Sequence, residues 1–177
     1  MEGWQRAAVL MLVANLPDMD FLLGFVLGEP GRLHRGVSHT VLAAMGFAIA
    51  AGAFLHWWRR ERFAAAALVF GAAYLSHLVL DYFTIDTRPP AGVQILWPFS
   101  SAYLISPVTI FAEITIDGRT RVDFLRTVLA WPTAVVLVRE TVMAAVALGA
   151  WHLVETARER GGAARELGLD AHEEDLA

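Results

Sequence analysis

The stretch V-S-H-T-V-L-A-A-M-G-F-A-I-A-A-G-A-F-L-H-W-W, residues 37–58, decides the fold class of this chain. These 22 residues include no charged side chain. As a helix, such a stretch is long enough to cross the roughly 30 Å hydrocarbon core of a bilayer. Backbone exposed to lipid must satisfy its own hydrogen bonds, so the sequence predicts a transmembrane helix here.

Three further apolar segments lie around it. One runs from 63 to 80 and ends at Asp81, and a long one covers 124–154 and contains Pro132. Another covers 7–27, but Pro17 and two acidic residues divide it. The sequence therefore predicts an all-α, polytopic membrane protein with about four transmembrane or membrane-embedded helices. A soluble protein with wholly buried helices is the alternative, and it is disfavoured because no segment carries a clear polar stripe at the helical period.

Composition limits the chemistry of any site. The chain of 177 residues is 56% hydrophobic and contains no cysteine, so neither disulfides nor thiolate metal sites can form. A metal ion would have to be held by histidine nitrogen and carboxylate oxygen. This donor set suits zinc, our first expectation, with manganese or iron as alternatives.

The charge is concentrated in the C-terminal tail. From residue 155 onward there are seven acidic residues and three arginines, so the tail accounts for the whole formal charge of −4. We predict a membrane-embedded metal-site domain over 1–154 and a charged, disordered cytoplasmic tail over 155–177. Residues 1–154 are electrically balanced, and we expect no nucleic-acid partner.

Three pairs of residues that can bind metal lie in or beside the apolar segments. Placing polar ligands next to a bilayer costs free energy, since a charge at the centre of a transmembrane helix costs roughly 2.5–3.5 kcal/mol even on the scales that give the lowest values. One shared metal site explains three such pairs economically. The predicted ligands are Asp18, Asp20, His34, His39, His77 and Asp81.

Local spacing supports each pair, and each has a simpler alternative. His77 and Asp81 are four residues apart, so they share one face of a helix, although they could merely form a polar helix end. His34 and His39 flank a turn at Gly36, with Ser38 as the expected N-cap of the next helix, although they could belong to an ordinary surface loop. The acidic pair after Pro17 could equally be a helix cap in a charged loop. The other histidines are excluded from the predicted site: His56, His152 and His172.

A histidine- and aspartate-bound metal with an open coordination position would support hydrolysis. Asp20 or Asp81 is the expected general base, and Arg35 could hold a phosphate bidentately, through two N–H groups of its guanidinium. At a bilayer surface, we expect membrane lipid as a partner and a phosphoester or lipid-linked molecule as the substrate. A non-catalytic metal-binding protein and a structural membrane protein remain alternatives.

Taken in order, these motifs resemble the YdjM-type family of bacterial inner-membrane proteins, described as metal-dependent hydrolases. The resemblance lies in L-P-D-M-D at 16–20, H-R-G-V-S-H-T at 34–40, L-S-H-L-V-L-D at 75–81 and A-G-V-Q-I-L-W-P-F at 91–99. It implies helical membrane segments, a divalent metal held by the six residues above, and location in the bacterial inner membrane. Family members commonly carry a histidine ahead of the L-P-D-x-D motif, and this sequence has none before His34.

Orientation follows from the arginines nearest the apolar segments. Arg59, Arg60 and Arg62 fill the turn between the second and third segments, which predicts that this turn is cytoplasmic. The three pairs of metal-binding residues would then lie together on the outer face of the membrane.

Overall fold

The computed structural model describes residues 3–87 and 90–144, together with 146, 149, 153, 154 and 156. The helices are α1 (Gly3–Ala14), α2 (Asp20–Leu27), α3 (Val41–Arg59), α4 (Phe63–Tyr82) and α5 (Arg121–Val128), followed by a helical stretch over Trp131–Ala144. Short 3-10 helices cover Pro17–Met19, Pro30–Arg32 and Val37–His39. Over these described ranges no β-strand forms, and the all-α prediction is confirmed.

Helices α3 and α4 are each long and apolar enough to cross a membrane. Two bent pairs, α1 with 17–27 and α5 with Trp131–Ala144, could each form one further broken span, so the chain has two to four candidate spans. Only 11% of the apolar window in α3 and 22% of that in α4 is buried within the protein. These helices therefore present most of their apolar side chains outward, as lipid-facing helices do.

A tight turn joins α3 and α4 into a close hairpin. Arg60 adopts a left-handed conformation with φ of 58° and ends α3. Gly52 lies so close to α4 that an added Cβ would be 2.9 Å from the Cβ of Ala67, and Gly71 is equally close to Ala48. Small residues let the two backbones approach, as is usual where membrane helices pack.

Helix α1 packs against α4, and one small core joins three helices. This core contains Val13 of α1, Ala44 of α3 and Tyr74 and Leu78 of α4, all at most 9% exposed. It brings together the end of α1, the beginning of α3 and the end of α4. These are the positions where the three predicted pairs occur in the sequence.

The first apolar segment is divided near Pro17 as predicted: α1 ends at Ala14, and it meets the helical segment that begins at Pro17 at a bend of 57°. The helix that follows the histidine loop begins later than expected. Thr40, rather than Ser38, is its N-cap, and the Thr40 hydroxyl accepts a hydrogen bond from the Ala43 N–H at 3.0 Å. The prediction for Ser38 was wrong because His39 lies in a 3-10 turn that precedes α3.

The described chain divides into two compact units, residues 1–133 and 134–177. The first contains all six predicted metal ligands. The predicted disordered tail over 155–177, with His172, lies outside the described residues apart from residue 156, as does His152. The predicted domain boundary at residue 154 therefore stays a prediction.

Candidate metal centre

All six predicted ligands lie in one polar cluster at the end of the α3–α4 hairpin. Two groups within it could hold a metal ion, in each of which the ligand atoms lie within 4.8 Å of one another. The first group consists of Asp18, His39 and His77, and the second of Asp20, His34 and His39. Because His39 belongs to both groups, its two ring nitrogens face different carboxylates.

Four donor atoms converge around the first group. The Oδ1 atom of Asp18 lies 3.3 Å from Nε2 of His39 and 3.3 Å from Nε2 of His77. The Oδ2 atom of Asp81 lies 3.5 Å and 3.6 Å from the same two nitrogens. A tetrahedral site with metal–ligand bonds of about 2.0–2.2 Å has ligand–ligand distances of about 3.3–3.6 Å. These four separations are of the size found around a tetrahedral ion, and the ligand atoms that all lie within 4.8 Å of one another are those of Asp18, His39 and His77.

Three of these four atoms are buried without a hydrogen bond. Among the described residues, Nε2 of His39, Nε2 of His77 and Oδ2 of Asp81 have no partner of good hydrogen-bond geometry. A buried polar atom without a hydrogen bond costs about 1–3 kcal/mol, so three of them at one point need an explanation. An ion that accepts all three lone pairs would provide it.

The second group surrounds the other face of His39. The Ser38 hydroxyl donates a hydrogen bond to Oδ2 of Asp20 at 2.7 Å, and the same oxygen lies 3.3 Å from Nδ1 of His39. The other oxygen of Asp20 lies 3.2 Å from Nδ1 of His34. Both oxygens of this carboxylate are therefore occupied by protein neighbours, and Asp20 is positioned to orient the His39 ring.

His39 is fully buried at the centre of the cluster. Burial by itself lowers the pKa of the imidazole, but the carboxylates of Asp18 and Asp20 outweigh this effect and raise the pKa of His39 to about 9. In the absence of an ion, His39 therefore carries a proton at neutral pH. The carboxylates around the His39 ring therefore favour a positive charge at this position.

Residues that the sequence analysis did not assign to the site hold the cluster in place. The Tyr74 hydroxyl donates a hydrogen bond to the backbone oxygen of Ser38 at 2.7 Å. The ring of Phe21 stacks on His34 with centroids 3.8 Å apart. Tyr74 precedes His77 by three residues, so helical spacing could have indicated its position on the same face of α4.

Arg35 and His56 make contacts with other residues than the converging donors. The guanidinium of Arg35 pairs with the carboxylate of Asp86, whose side chain is 3% exposed and also accepts a hydrogen bond from the Gly92 N–H at 2.9 Å. This contact ties the histidine loop to the connection after α4, and the predicted phosphate-binding role of Arg35 stays a prediction. His56 lies at the opposite end of α3, where its Nδ1 is 2.9 Å from the backbone oxygen of Glu61.

The outward-facing apolar helices and the buried cluster of histidines and aspartates define a class: a helical membrane protein with a polar site at one end of its helices. Within that class, the chain belongs to the YdjM inner membrane protein family, whose model matches residues 1–158. It is similar to the inner membrane protein YdjM of Escherichia coli (strain K12) and to that of Shigella flexneri, with 33% identity over 109 residues in each case.

These alignments cover 55% of this chain and 51% of each relative, so the chain spans about half the length of the curated relatives that it matches. No solved structure matches the chain. The family and the apolar helices together support location in the inner membrane, in agreement with the sequence analysis.

Proposed function

We propose that this chain is a membrane-bound, metal-dependent hydrolase that binds one divalent ion between Asp18, His39, His77 and Asp81. The observation that carries the proposal is the convergence of four donor atoms at separations of 3.3–3.6 Å, three of them buried without hydrogen bonds. Two imidazoles and two carboxylates suit zinc first, with manganese and iron as alternatives.

The bound ion would supply the chemistry by lowering the pKa of a water molecule towards about 7 and by polarising a phosphoryl or carbonyl oxygen. The residues around the ion orient its ligands. Oδ2 of Asp20, 3.3 Å from Nδ1 of His39, favours a proton on that nitrogen, which fixes the tautomer that directs the Nε2 lone pair at the ion. If Asp81 stays outside the coordination shell, it is a better candidate than Asp20 for the general base, because Oδ2 of Asp81 has no hydrogen bond among the described residues, whereas both oxygens of Asp20 are engaged.

The proposed substrate class is a phosphoester or a lipid-linked molecule, and we propose that the site faces the outer side of the membrane. The site lies where the helices end: His39 is two residues before α3, and Asp81 is one residue before the end of α4. A polar head group at the bilayer surface can reach this level. The side chain of Asp18 is 42% exposed, which gives the cluster an open edge.

A non-catalytic metal-binding role is the second candidate. It is favoured by the number of donors, since four protein ligands fill a tetrahedral shell and leave no position for a substrate. Catalysis therefore requires that Asp81 remains outside the shell or that the ion accepts a fifth ligand. The position of Asp81 separates these two candidate functions.

Elemental analysis of the purified protein tests the metal site. We expect one ion per chain in the wild type, loss of the ion in His77→Ala, and full occupancy in His56→Ala, a matched control at the other end of α3. Protein without a stoichiometric ion, or equal loss in both variants, would contradict the proposed site.

An assay of turnover tests whether the chain is a hydrolase. Metal-loaded protein in detergent is supplied with phospholipids, lipid pyrophosphates and generic phosphodiesters. Hydrolysis that disappears in Asp81→Asn while the ion is retained supports the enzyme. Full metal occupancy with no turnover on any of these substrates favours the metal-binding protein.

A further inference from the structure

The connection between α4 and α5 has an unusual composition for a segment outside the spanning helices. Residues 89–112 contain no aspartate, glutamate, lysine, arginine or histidine. We refer to residues 90–112, which the structure describes, as the uncharged loop. A solvated loop of this length normally carries charged residues, so its composition alone indicates an environment other than bulk water.

Large apolar side chains of the uncharged loop point away from the protein. They are Leu96, Trp97, Phe99, Val108 and Ile110, with exposed fractions of 48%, 39%, 87%, 68% and 48%. The loop also has an inward side, where Val93 is fully buried and Ile95 packs against the core below the metal-ligand cluster. The loop is thus fixed on one side and apolar on the other.

Backbone hydrogen bonds attach the uncharged loop to the ends of both candidate spans. The N–H of Val41, the first residue of α3, donates to the backbone oxygen of Ile95 at 2.9 Å. The N–H of Ser106 donates to the backbone oxygen of Tyr82, the last residue of α4, at 2.8 Å. The exposed side chains follow within a few residues of these bonds. The apolar surface therefore continues directly from the lipid-facing surface of the spans.

The length of α3 sets the level of the loop relative to a bilayer. Trp57 and Trp58, 71% and 65% exposed, are typical of one membrane interface. Val41 lies about 24 Å from Trp57 along the helix, at 1.5 Å per residue. With a hydrocarbon core of roughly 30 Å, Val41 and the loop bonded to it would lie within about 6 Å of the opposite edge of the hydrocarbon.

Several polar groups of the loop are hydrogen-bonded within the protein, which lowers the cost of placing it at that level. Val93 and Leu104 exchange two backbone hydrogen bonds of 3.0 Å. The side-chain amide of Gln94 donates to the backbone oxygen of Ser101 at 2.9 Å, and the Ser106 hydroxyl donates to that of Val108 at 2.7 Å. Irregular backbone is costly in hydrocarbon but acceptable at the interface, where water and head groups remain available.

We propose that the uncharged loop is a membrane-interfacial segment whose apolar side chains insert into the lipid head-group and acyl boundary, on the face that holds the metal-ligand cluster. The occupant of this surface is the bilayer to which the protein already belongs. The proposal does not depend on the metal or on catalysis.

The absence of native cysteine permits a direct test by single labelling. Phe99→Cys and Val108→Cys are labelled with an environment-sensitive fluorophore in the full-length protein, reconstituted into phosphatidylcholine–phosphatidylglycerol vesicles. Ile49→Cys, within α3, serves as the lipid-facing control. Arg32→Cys, in the exposed 3-10 helix before the histidine loop, serves as the water-facing control.

The expected result is a blue-shifted emission at positions 99 and 108, with loss of intensity in lipids brominated near the head group and little loss to aqueous iodide. Ile49→Cys should be quenched best by lipids brominated deeper in the chain, and Arg32→Cys by iodide alone. Iodide quenching of the loop labels equal to that of Arg32→Cys would overturn the proposal. Protection from both quenchers, with energy transfer between labelled chains, would overturn it in favour of a second copy of the chain. Metal content, measured on the same samples, reports separately on the proposed site.

Discussion

The role of Asp20 provides a sharp test of the proposed metal centre, because the proposal uses this residue to orient His39 rather than as one of the four ligands. In Asp20→Asn, the carboxylate that faces Nδ1 of His39 at 3.3 Å becomes a neutral amide. The His39 ring loses its charged hydrogen-bond acceptor, whereas the four proposed ligands remain. We therefore expect weakened metal binding without loss of the site.

The expected loss of metal affinity can be estimated from the effect of hydrogen-bond partners on metal-bound histidines. Removing a hydrogen-bond partner of a metal-bound histidine typically reduces metal affinity about 10–100-fold, equivalent to about 1.4–2.7 kcal/mol. The hydroxyl of Ser38 contacts both Oδ2 of Asp20 and Nδ1 of His39, at 2.7 Å and 3.0 Å. Ser38→Ala added to Asp20→Asn should therefore cost less than the sum of the two single changes, since the three groups form one network.

Competition with a chromogenic zinc chelator on detergent-solubilised protein measures these affinities. Glu29→Gln is the matched control, because Glu29 is an exposed carboxylate that lies 3.8 Å from Arg32, with its side chain 58% exposed. It should bind zinc as the wild type does. Loss of binding in Asp20→Asn as complete as in His77→Ala would make Asp20 a ligand and refute the proposed arrangement. Unchanged affinity would refute the orienting role.

Three further outcomes are expected. The ion must displace the proton that His39 holds with a pKa raised to about 9, so metal affinity should rise with pH up to that value. For one proton, the rise is about tenfold per pH unit, and chelator titrations between pH 6.5 and 8.5 measure it. A metal affinity that does not change with pH would contradict this prediction. Thr40→Ala should lower stability by about 1 kcal/mol in thermal unfolding, through loss of the α3 N-cap, and an unchanged transition would argue against the cap. Gly52→Ala should destabilise the α3–α4 hairpin by about 1–3 kcal/mol, whereas Gly46→Ala, which meets nothing within 4 Å, should not; equal effects would contradict the close packing.

Much of the cluster could be predicted because spacing along a helix fixes which side chains share a face. His77 and Asp81 required only that α4 be helical, and the bend at Pro17 required only the geometry of proline. The free-energy cost of placing polar side chains beside a bilayer then gave a reason for the three pairs to lie together. These arguments need no knowledge of how distant segments pack.

The division of roles could not be predicted, since it depends on contacts between residues far apart in the sequence. Nothing in the sequence separates the role of Asp20 from that of Asp18, and the orienting role that we propose for Asp20 rests on its contacts with Ser38 and His39. Arg35 likewise finds Asp86 across 51 residues. The signal for Thr40 as N-cap was local, but the 3-10 turn before it displaced the start of α3 from its predicted position.

The raised pKa of His39 and the proposed metal site have one physical cause. Three carboxylates, from Asp18, Asp20 and Asp81, converge on imidazoles at a place where burial limits screening by water. Such an arrangement favours whichever cation can enter it. The proton on His39 neutralises part of this charge, but it leaves Nε2 of His77 and Oδ2 of Asp81 without hydrogen bonds among the described residues. A divalent ion neutralises more of the charge and engages these atoms as well, so it should displace the proton and stabilise the fold.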